Sequence, residues 1–314
     1  MKNLVSPQVS VIVCTKGRPR VLRECIGSVL ANDDVEIELV VVDQSPESAS
    51  REVVQGFAER RLVLIRTTTT GKSRALNAAL RRVRADVVAF TDDDCTVPTG
   101  WLARALEVFA KHPDAGIVFG ALAAMPHDPG RVFVPMFLPD RYRLITRESL
   151  RGPLDTGVGA NMFVRRSVFD RIGGFDEWVG PGSRFRSGDD HDLALRALRA
   201  GFSLIQDPTN VVVHFGGRSH QGGDARATLH ANYYGMGAVY ARQLRRGDIQ
   251  ALTLFAGQAA WVIGFIARNA LHGRSQLGIR RLAYLGLGAV QGFVAPRSLD
   301  APTSVMTAPA KAAR

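Results

Sequence analysis

The chain has 314 residues, of which 46% are hydrophobic and 22% charged. This length fits one large α/β domain with an appendage or two ordinary domains, and the composition excludes a disordered protein, a coiled coil and a collagen-like repeat. The net charge is +11, and residues 201–314 hold 12 basic but only 4 acidic side chains. Such an excess suits an anionic membrane surface; aromatic residues do not interleave with the basic ones, so no nucleic-acid partner is expected.

The cysteines and the N-terminus indicate the compartment. Cys14, Cys25 and Cys95 are odd in number and lack CxxC spacing, which predicts neither a disulfide framework nor a structural zinc site. The N-terminus has no long apolar core, so no secretory signal is predicted. We therefore expect a cytoplasmic protein. Peripheral contact with the inner face of the cell membrane is compatible with this location.

The first third of the chain alternates short β-branched runs with helical patterns. Strands are predicted at 9–14, 38–43, 61–66 and 86–91, with helices at 20–31 and 73–83. Continuous apolar strands that alternate with helices are typical of a mostly parallel sheet covered on both faces. Further along, helices are predicted at 165–172 and 189–200, a strand at 210–214, and mostly helix after 225.

Polar residues stand where three of these strands end. Thr15 and Asp43 follow the first two strands, and Asp92-Asp93-Asp94 follow the fourth. Ligands of open parallel sheets bind beyond the carboxyl ends of the strands, so these side chains predict a site at one sheet edge. Three adjacent carboxylates repel one another unless a cation neutralises them, and Mg²⁺ or Mn²⁺ suits such oxygen ligands. A solvated acidic turn is the alternative interpretation.

A second acidic cluster begins the predicted helix at 189–200. Asp189, Asp190 and Asp192 occupy its first turn, where capping and the helix dipole already favour acidic residues. Three carboxylates in four positions exceed what capping requires, which favours a functional carboxylate among them. His214 ends the last predicted strand, and a lone histidine there is more often structural than a ligand.

Two nucleotide-binding motifs are excluded by their missing glycines. Gly71-Lys72-Ser73 resembles the end of a P-loop, but Arg66 stands where its first glycine should be. The run that starts at Gly157 lacks the third glycine of a dinucleotide fingerprint. A P-loop NTPase and a nicotinamide enzyme are therefore not predicted.

Six motifs, taken in order, resemble the family 2 glycosyltransferases. They are the opening strand and loop 9–18, the strand end Val40–Ser45, the helix start Gly71–Asn77, Phe90–Asp94 as the DxD metal motif, Gly159–Asp176 in the acceptor half, and Gly188–Arg196 as the region of the catalytic base. The match covers residues 8–218. The family commonly has Glu where Asp189 stands, and Asn, Asp or Gly where Gln44 stands.

The resemblance implies a GT-A fold, with a Rossmann-like, mostly parallel central sheet flanked by helices and a C-terminal helical extension. It implies a metal-dependent transferase that moves a sugar from a nucleotide-sugar donor to a hydroxyl of a glycan or lipid-linked acceptor. The anomeric centre would be inverted in a single displacement, without a covalent sugar–enzyme intermediate. A catalytically inactive nucleotide-sugar-binding protein is the alternative.

The resemblance also implies roles for particular residues. Mn²⁺ or Mg²⁺ would be held by Asp92 and Asp94, with His214 near the metal or the diphosphate. Asp190 would be the catalytic base, and Asp189 is the alternative. The residues implied to contact the nucleotide sugar are Thr15, Arg18, Asp43, Lys72, Arg74, Asn77 and Asp93.

The predicted domain organisation places the catalytic domain at 1–225, with a nucleotide-sugar half (1–120) and an acceptor half (121–225). A helical extension follows at 226–296, and a flexible tail at 297–314. Residues 249–267 carry no charge, so the sequence leaves three placements open: a membrane span, interfacial or re-entrant membrane contact, and packing in a core. Basic residues flank this segment on both sides, which disfavours a single span, and the local positive charge favours contact with anionic lipid.

Overall fold

A computed structural model describes residues 6–150, 156–270 and 276–296 of the chain. The strands are, in chain order, β1 (Val9–Thr15), β2 (Ile37–Asp43), β3 (Leu62–Arg66), β4 (Val87–Asp92), β5 (Cys95–Thr96), β6 (Ala115–Ala124), β7 (Val132–Phe133), β8 (Arg143–Ile145), β9 (Met162–Arg165), β10 (Ser203–His214) and β11 (Arg218–Ser219). The helices are α1 (Pro19–Leu30), α2 (Ala49–Gln55), α3 (Lys72–Leu80), α4 (Trp101–Lys111), α5 (Arg166–Ile172), α6 (Asp189–Arg199), α7 (Asp224–Arg245), α8 (Gln250–Ala270) and α9 (Gln276–Val294). A 3₁₀ turn at Gly159–Asn161 precedes β9.

The central sheet has the strand order β3-β2-β1-β4-β9-β6-β10-β5, and β8 pairs with β10. The first four of these strands are mutually parallel, and β6 and β10 form a second parallel pair. The prediction of a mostly parallel sheet flanked by helices is confirmed. The structure adds an unpredicted feature: β9 is antiparallel to β4 on one side and to β6 on the other.

Both faces of the sheet are buried, which explains the uninterrupted apolar runs. Every residue of β2 is buried. Along this strand Val40 and Val42 belong to the core layer that includes α3 and α6, whereas Leu39 and Val41 belong to the layer on the opposite face, which includes α1 and α4. Successive side chains of a strand point to opposite faces, so each layer receives alternate residues. The sheet thus holds the ends of β1, β2 and β4 in fixed register.

The described part of the chain after residue 225 is mostly helical, as predicted. Helix α9 packs closely on α7, since Gly288 lies against the backbone of Tyr234 and Gly292 against that of Ala238. Within the described residues, one helix, Gln250–Asn269, is long and apolar enough to cross a membrane by length and composition, and 22% of it is buried. The predicted tail at 297–314 lies outside the described residues.

Candidate active site

A cleft of about 280 Å³ opens at the carboxyl ends of β1 and β4. Its lining joins acidic and basic side chains from several parts of the chain: Cys14, Thr15, Lys16, Arg18, Gln44, Thr70, Gly71, Lys72, Asp92, Asp94, Pro181, Gly182 and Arg218. The sheet brings these residues together because parallel strands end at the same edge. The cleft lies where the polar strand ends predicted a site.

The acidic triplet is neutralised by cations of the protein itself. The Arg18 guanidinium lies 2.6 Å from Asp93 Oδ1 and 2.6 Å from Asp94 Oδ2, and the Lys72 ammonium pairs with Asp92. Thr15 Oγ1 donates a 2.7 Å hydrogen bond to Asp93 Oδ2. Asp93 and Asp94 are buried, so the triplet is not a solvated acidic turn. Burial raises the pKa of Asp93 to about 6, although the charge of Arg18 opposes that rise.

Asp94 and His214 face each other in a pair suited to a divalent cation. His214 Nε2 lies 3.2 Å from Asp94 Oδ1, while its Nδ1 lies 3.2 Å from the Pro135 carbonyl oxygen. Both ring nitrogens face oxygen acceptors, and although burial opposes it, the hydrogen bond and charge of Asp94 raise the pKa of His214, which favours a ring protonated on both nitrogens. A bound cation would take the place of the Nε2 proton, while the Nδ1–H would keep its bond to Pro135. Burial alone would raise the pKa of Asp94, but the hydrogen bond and charge of His214 hold it below the ordinary value.

Among the described residues, the ligand atoms of Asp94, Cys95 and His214 lie within 4.8 Å of one another. Burial raises the pKa of the Cys95 thiol well above its ordinary value, so this thiol stays protonated and is a poor ligand. The carboxylate of Asp92 is not in this group, since it is turned to Lys72 on the same cleft. The donor set thus fits a cation at Asp94 and His214, with Asp92 nearby.

Glycine at position 216 is required by the close approach of the Asp94 carboxylate. A Cβ built on Gly216 would overlap Asp94 Oδ2 and lie 2.8 Å from His214 Nε2. The loop after β10 therefore has no side chain at the point where it passes the proposed ligands. This close approach explains the glycine pair that follows the histidine in the sequence.

Asp43 presents a buried oxygen without a partner among the described residues. Its side chain is fully buried, and its Oδ1 accepts a 2.8 Å hydrogen bond from the backbone N–H of Ser45. Its Oδ2 has no hydrogen-bond partner. Because buried polar atoms are rarely left unpaired, Asp43 Oδ2 marks a place for a donor group from a ligand.

The two candidate bases differ in their surroundings. Asp190 is partly buried, and its Oδ2 accepts a 2.8 Å hydrogen bond from the backbone N–H of Gly159. Asp189 is buried near Lys72, and burial together with repulsion from Asp190 raises its pKa to about 7. The N-cap is Gly188, which has no side chain to cap the helix, and Asp190 Oδ1 accepts a hydrogen bond from the first-turn N–H of His191. One carboxylate therefore satisfies a free helix N–H, which leaves Asp189 and Asp192 without a capping role.

Four predicted donor-contacting residues are not part of the cleft lining: the buried Asp43 and Asp93 described above, and Asn77 and Arg74. Asn77 is fully buried, donates a 2.9 Å hydrogen bond to the Phe175 carbonyl and accepts one of 2.9 Å from the Phe175 N–H. Arg74 forms an ion pair of 3.3 Å with Glu177. Both side chains connect α3 to the loop after α5, so the structure gives them a scaffold position beside the cleft.

Lys16 and Arg218 line the cleft but were not predicted as site residues. Arg218 stands four residues after His214, and this proximity was the one signal in the sequence. Asp176 was also not predicted to have a role of its own; its carboxylate oxygen accepts a 3.1 Å hydrogen bond from Nε of the buried Arg242 in α7. Contacts between positions so distant in the chain leave no local pattern.

The fold and the site together define an α/β protein of the GT-A type. The chain belongs to glycosyl transferase family 2, whose sequence profile matches residues 10–173. A glucosyl-dolichyl phosphate glucuronosyltransferase of Haloferax volcanii is 30% identical over 202 residues, which cover 60% of this chain and 61% of that protein. A pre-mycofactocin glycosyltransferase of Mycobacterium tuberculosis is 28% identical over 80% of this chain and 50% of that protein. The matches thus span less than two thirds of these relatives.

Solved structures show the same fold. A mannosyltransferase from Pyrobaculum calidifontis, in complex with GDP-mannose and Mn²⁺, superimposes with a TM-score of 0.62 at 22% identity, over 93% of this chain and 88% of that one. TarS residues 1–349 of S. aureus, in complex with UDP-GlcNAc, superimpose with a TM-score of 0.59 at 15% identity, over 90% and 91% of the two chains. At these identities the likeness establishes the fold.

Proposed function

We propose that the protein transfers a sugar from a nucleoside-diphosphate sugar to an acceptor hydroxyl, with inversion of the anomeric centre. The observation that carries this proposal is one cleft in which Asp94, paired with His214, lies beside Arg18, Lys72 and Arg218. The positive charges of Arg18, Lys72 and Arg218 complement a diphosphate, and the pair of Asp94 and His214 complements a divalent cation. The two solved structures that share this fold contain GDP-mannose and UDP-GlcNAc, which supports the binding of a nucleotide sugar in this cleft.

The donor would lie with its nucleobase towards the carboxyl end of β2. Asp43 Oδ2, which has no hydrogen-bond partner among the described residues, would accept a hydrogen bond from the nucleobase, and Thr15 lines the cleft. The guanidinium groups of Arg18 and Arg218 would hold the phosphates, since arginine matches the geometry of phosphate oxygens. In this arrangement the donor's leaving group meets cationic side chains as its negative charge grows.

Asp94 and His214 would hold Mn²⁺ or Mg²⁺, with Asp92 completing the acidic side of the cleft. The cation, when bound, stabilises the charge of the departing diphosphate. Lys72 would stay charged beside Asp92: burial lowers the pKa of the ammonium, but the charge of Asp92 raises it above the ordinary value.

Asp190 would remove the proton from the acceptor hydroxyl. The N–H of Gly159 holds one oxygen of this carboxylate, and the N–H of His191 donates a 2.8 Å hydrogen bond to the other. These two backbone donors fix the orientation of the carboxylate, as a general base requires. An acceptor on a glycan or on a lipid-linked saccharide, and a cytoplasmic location, belong to this proposal; the Haloferax relative is named for a dolichyl phosphate-linked sugar.

A panel of nucleotide sugars tests the proposal. The full chain should hydrolyse at least one of them in the presence of Mn²⁺ or Mg²⁺, and EDTA should abolish the reaction. Release of the nucleoside diphosphate is the measured quantity, and nuclear magnetic resonance of the product sugar reports the anomeric configuration. Tight binding of a nucleotide sugar without turnover, for the donor alone and with every acceptor offered, would favour an inactive binding protein instead.

A further inference from the structure

The outward faces of α8 and α9 are apolar along their whole length. On α8 the exposed side chains at helical spacing are Leu252, Ala256, Ala260, Ile263 and Ala267. On α9 they are Ile279, Ala283, Leu287, Val290 and Val294. We call these ten residues the hairpin face. A surface helix of a water-soluble protein normally carries polar side chains on its outward stripe, so this face is unusual for contact with water alone.

The inward sides of the two helices pack against each other and against α7. Leu254 and Val262 of α8 are buried, and Leu285 of α9 packs beside Gly237 of α7. The two helices are antiparallel, since Gly278 near the start of α9 approaches Ile266 near the end of α8. A membrane span by α8 would separate these packed surfaces. The packing therefore favours a hairpin that lies along a surface.

An apolar depression of about 320 Å³ continues the hairpin face towards α7. Its lining is entirely of apolar and aromatic residues, contributed by three helices: Tyr240, Ala241, Leu244, Ala251, Leu252, Phe255, Ala289, Val290, Phe293 and Val294. Leu252, Val290 and Val294 belong to both the hairpin face and this depression. The exposed apolar surface is therefore continuous rather than scattered, which is the pattern of an interaction site.

The charges around the hairpin face indicate what covers it. No acidic residue lies between Asp248 and Asp300, a stretch that contains five arginines. Arg268 and Arg280 are exposed at the same end of the hairpin, and the Arg281 guanidinium lies 4.4 Å from the centre of the Phe265 ring. Two copies of this face would bring like charges together. An anionic lipid surface offers both the apolar layer and the opposite charge.

We propose that the hairpin face docks the protein on an anionic bilayer, with α8 and α9 lying in the interface plane. The apolar stripes enter the boundary between headgroups and acyl chains, and the arginines contact the lipid phosphates. The surface is separate from the cleft, so this inference stands whether or not the proposed sugar transfer is correct. The hairpin face is then the surface by which the protein contacts a membrane.

Vesicle flotation of the full chain tests the proposal. The protein should float with vesicles of phosphatidylcholine and phosphatidylglycerol and much less with phosphatidylcholine alone, and high salt should reduce the bound fraction because surface charges are screened. The double variant Leu252→Gln, Leu287→Gln should weaken partitioning by roughly tenfold or more, since two half-exposed leucines lose their transfer into lipid. Arg280→Gln should weaken binding to anionic vesicles by about fivefold.

A matched control separates the hairpin face from general stickiness. Leu144 in β8 is 51% exposed, as is Leu252, and Leu138 is also exposed. The double variant Leu144→Gln, Leu138→Gln should float like the unaltered protein, and Arg51→Gln is the control for charge. Absence of flotation on anionic vesicles would overturn the proposal, as would equal losses in both leucine pairs. Extraction only by detergent would show a span, and dimerisation of non-floating protein would show a second copy as the occupant.

Discussion

Arg246, which follows the last residue of α7, lies 3.1 Å from the carboxylate of Asp192 in the first turn of α6. The same guanidinium lies 2.7 Å from Asp176, and Gln243 Nε2 donates a 2.7 Å hydrogen bond to Asp192. Asp192 is fully buried and stands two residues after Asp190. The C-terminal helical part of the chain thus holds the turn that carries the proposed base.

Substitution of Asp192 tests this attachment. Asp192→Asn leaves buried arginine groups without their counter-charge, so we expect the free energy of unfolding to fall by about 3–5 kcal/mol. Urea unfolding followed by circular dichroism measures the change. Asp170→Asn, at an exposed position of α5, is the control and should change the free energy little. Equal stability of the two variants would contradict a stabilising role for the ion pairs of Asp192.

The pH dependence of stability follows from the same residue. Burial opposes ionisation of Asp192, but the charges of Arg196 and Arg246 lower its pKa from 3.8 to about 2. Because the folded-state pKa is depressed, the stabilisation is present above the unfolded-state pKa and is lost as the pH falls from about 4 towards 2; its size is about 2 kcal/mol. Unfolding curves at several pH values should show this loss in the native protein and not in Asp192→Asn.

The identity of the base can be tested by two neighbouring substitutions. Asp190→Asn keeps the shape of the side chain but removes its proton acceptor, so kcat should fall by about 10²–10⁴-fold while donor binding persists. Asp189→Asn should retain most of the rate, because an amide resembles the protonated form of a carboxyl whose pKa is raised to about 7. Rapid-quench kinetics and donor titration measure both effects. A larger loss for Asp189→Asn would assign the base to that residue.

The cation site is tested at Asp94. Asp94→Ala should abolish turnover and weaken Mn²⁺ binding, since it removes the buried carboxylate that faces His214. Electron paramagnetic resonance of free Mn²⁺ reports binding without reference to activity. Asp34→Ala, an exposed aspartate away from the cleft, should leave both measurements unchanged. Full activity of Asp94→Ala, or of the native protein in EDTA, would contradict the assignment.

Asp43 offers a test of donor recognition. Asp43→Ala should weaken binding of the nucleoside diphosphate by about 10–100-fold, because a hydrogen bond to a charged group contributes about 1.5–3 kcal/mol. Isothermal titration calorimetry measures the affinity, and Glu47→Gln at an exposed position is the control. An unchanged affinity would mean that the nucleobase of the donor binds elsewhere in the cleft.

Much of the fold was predictable because its pattern is local. β1, β2 and β4 are apolar along their length, and their polar ends at Thr15, Asp43 and Asp92 follow directly from the sequence. The antiparallel insertion of β9 was not predictable, since a four-residue strand carries no sign of its direction or neighbours. The helix at Trp101–Lys111 was also missed, although its apolar spacing was available to find it.

The site was predictable in its acidic residues and less so in its basic ones. The Asp triplet and the first turn of α6 are dense clusters that stand out in a single sequence. The pairings of Arg18 with Asp94 and of Arg242 with Asp176 join residues 76 and 66 positions apart, and arginine is frequent throughout the chain. Their partners depend on how the sheet and α7 assemble, which no local pattern encodes.

The two ion pairs of Arg18 would couple the affinities of the protein for a nucleotide and for a metal ion. This guanidinium neutralises Asp93 and Asp94 in the ligand-free protein, so it competes with a cation for the Asp94 carboxylate. Phosphates that draw Arg18 towards themselves release Asp94. Linkage then requires that each ligand raise the affinity of the other by the same factor. The share of the cooperativity that depends on Arg18 would be lost in Arg18→Ala, in which Lys72 and His214 remain beside Asp92 and Asp94.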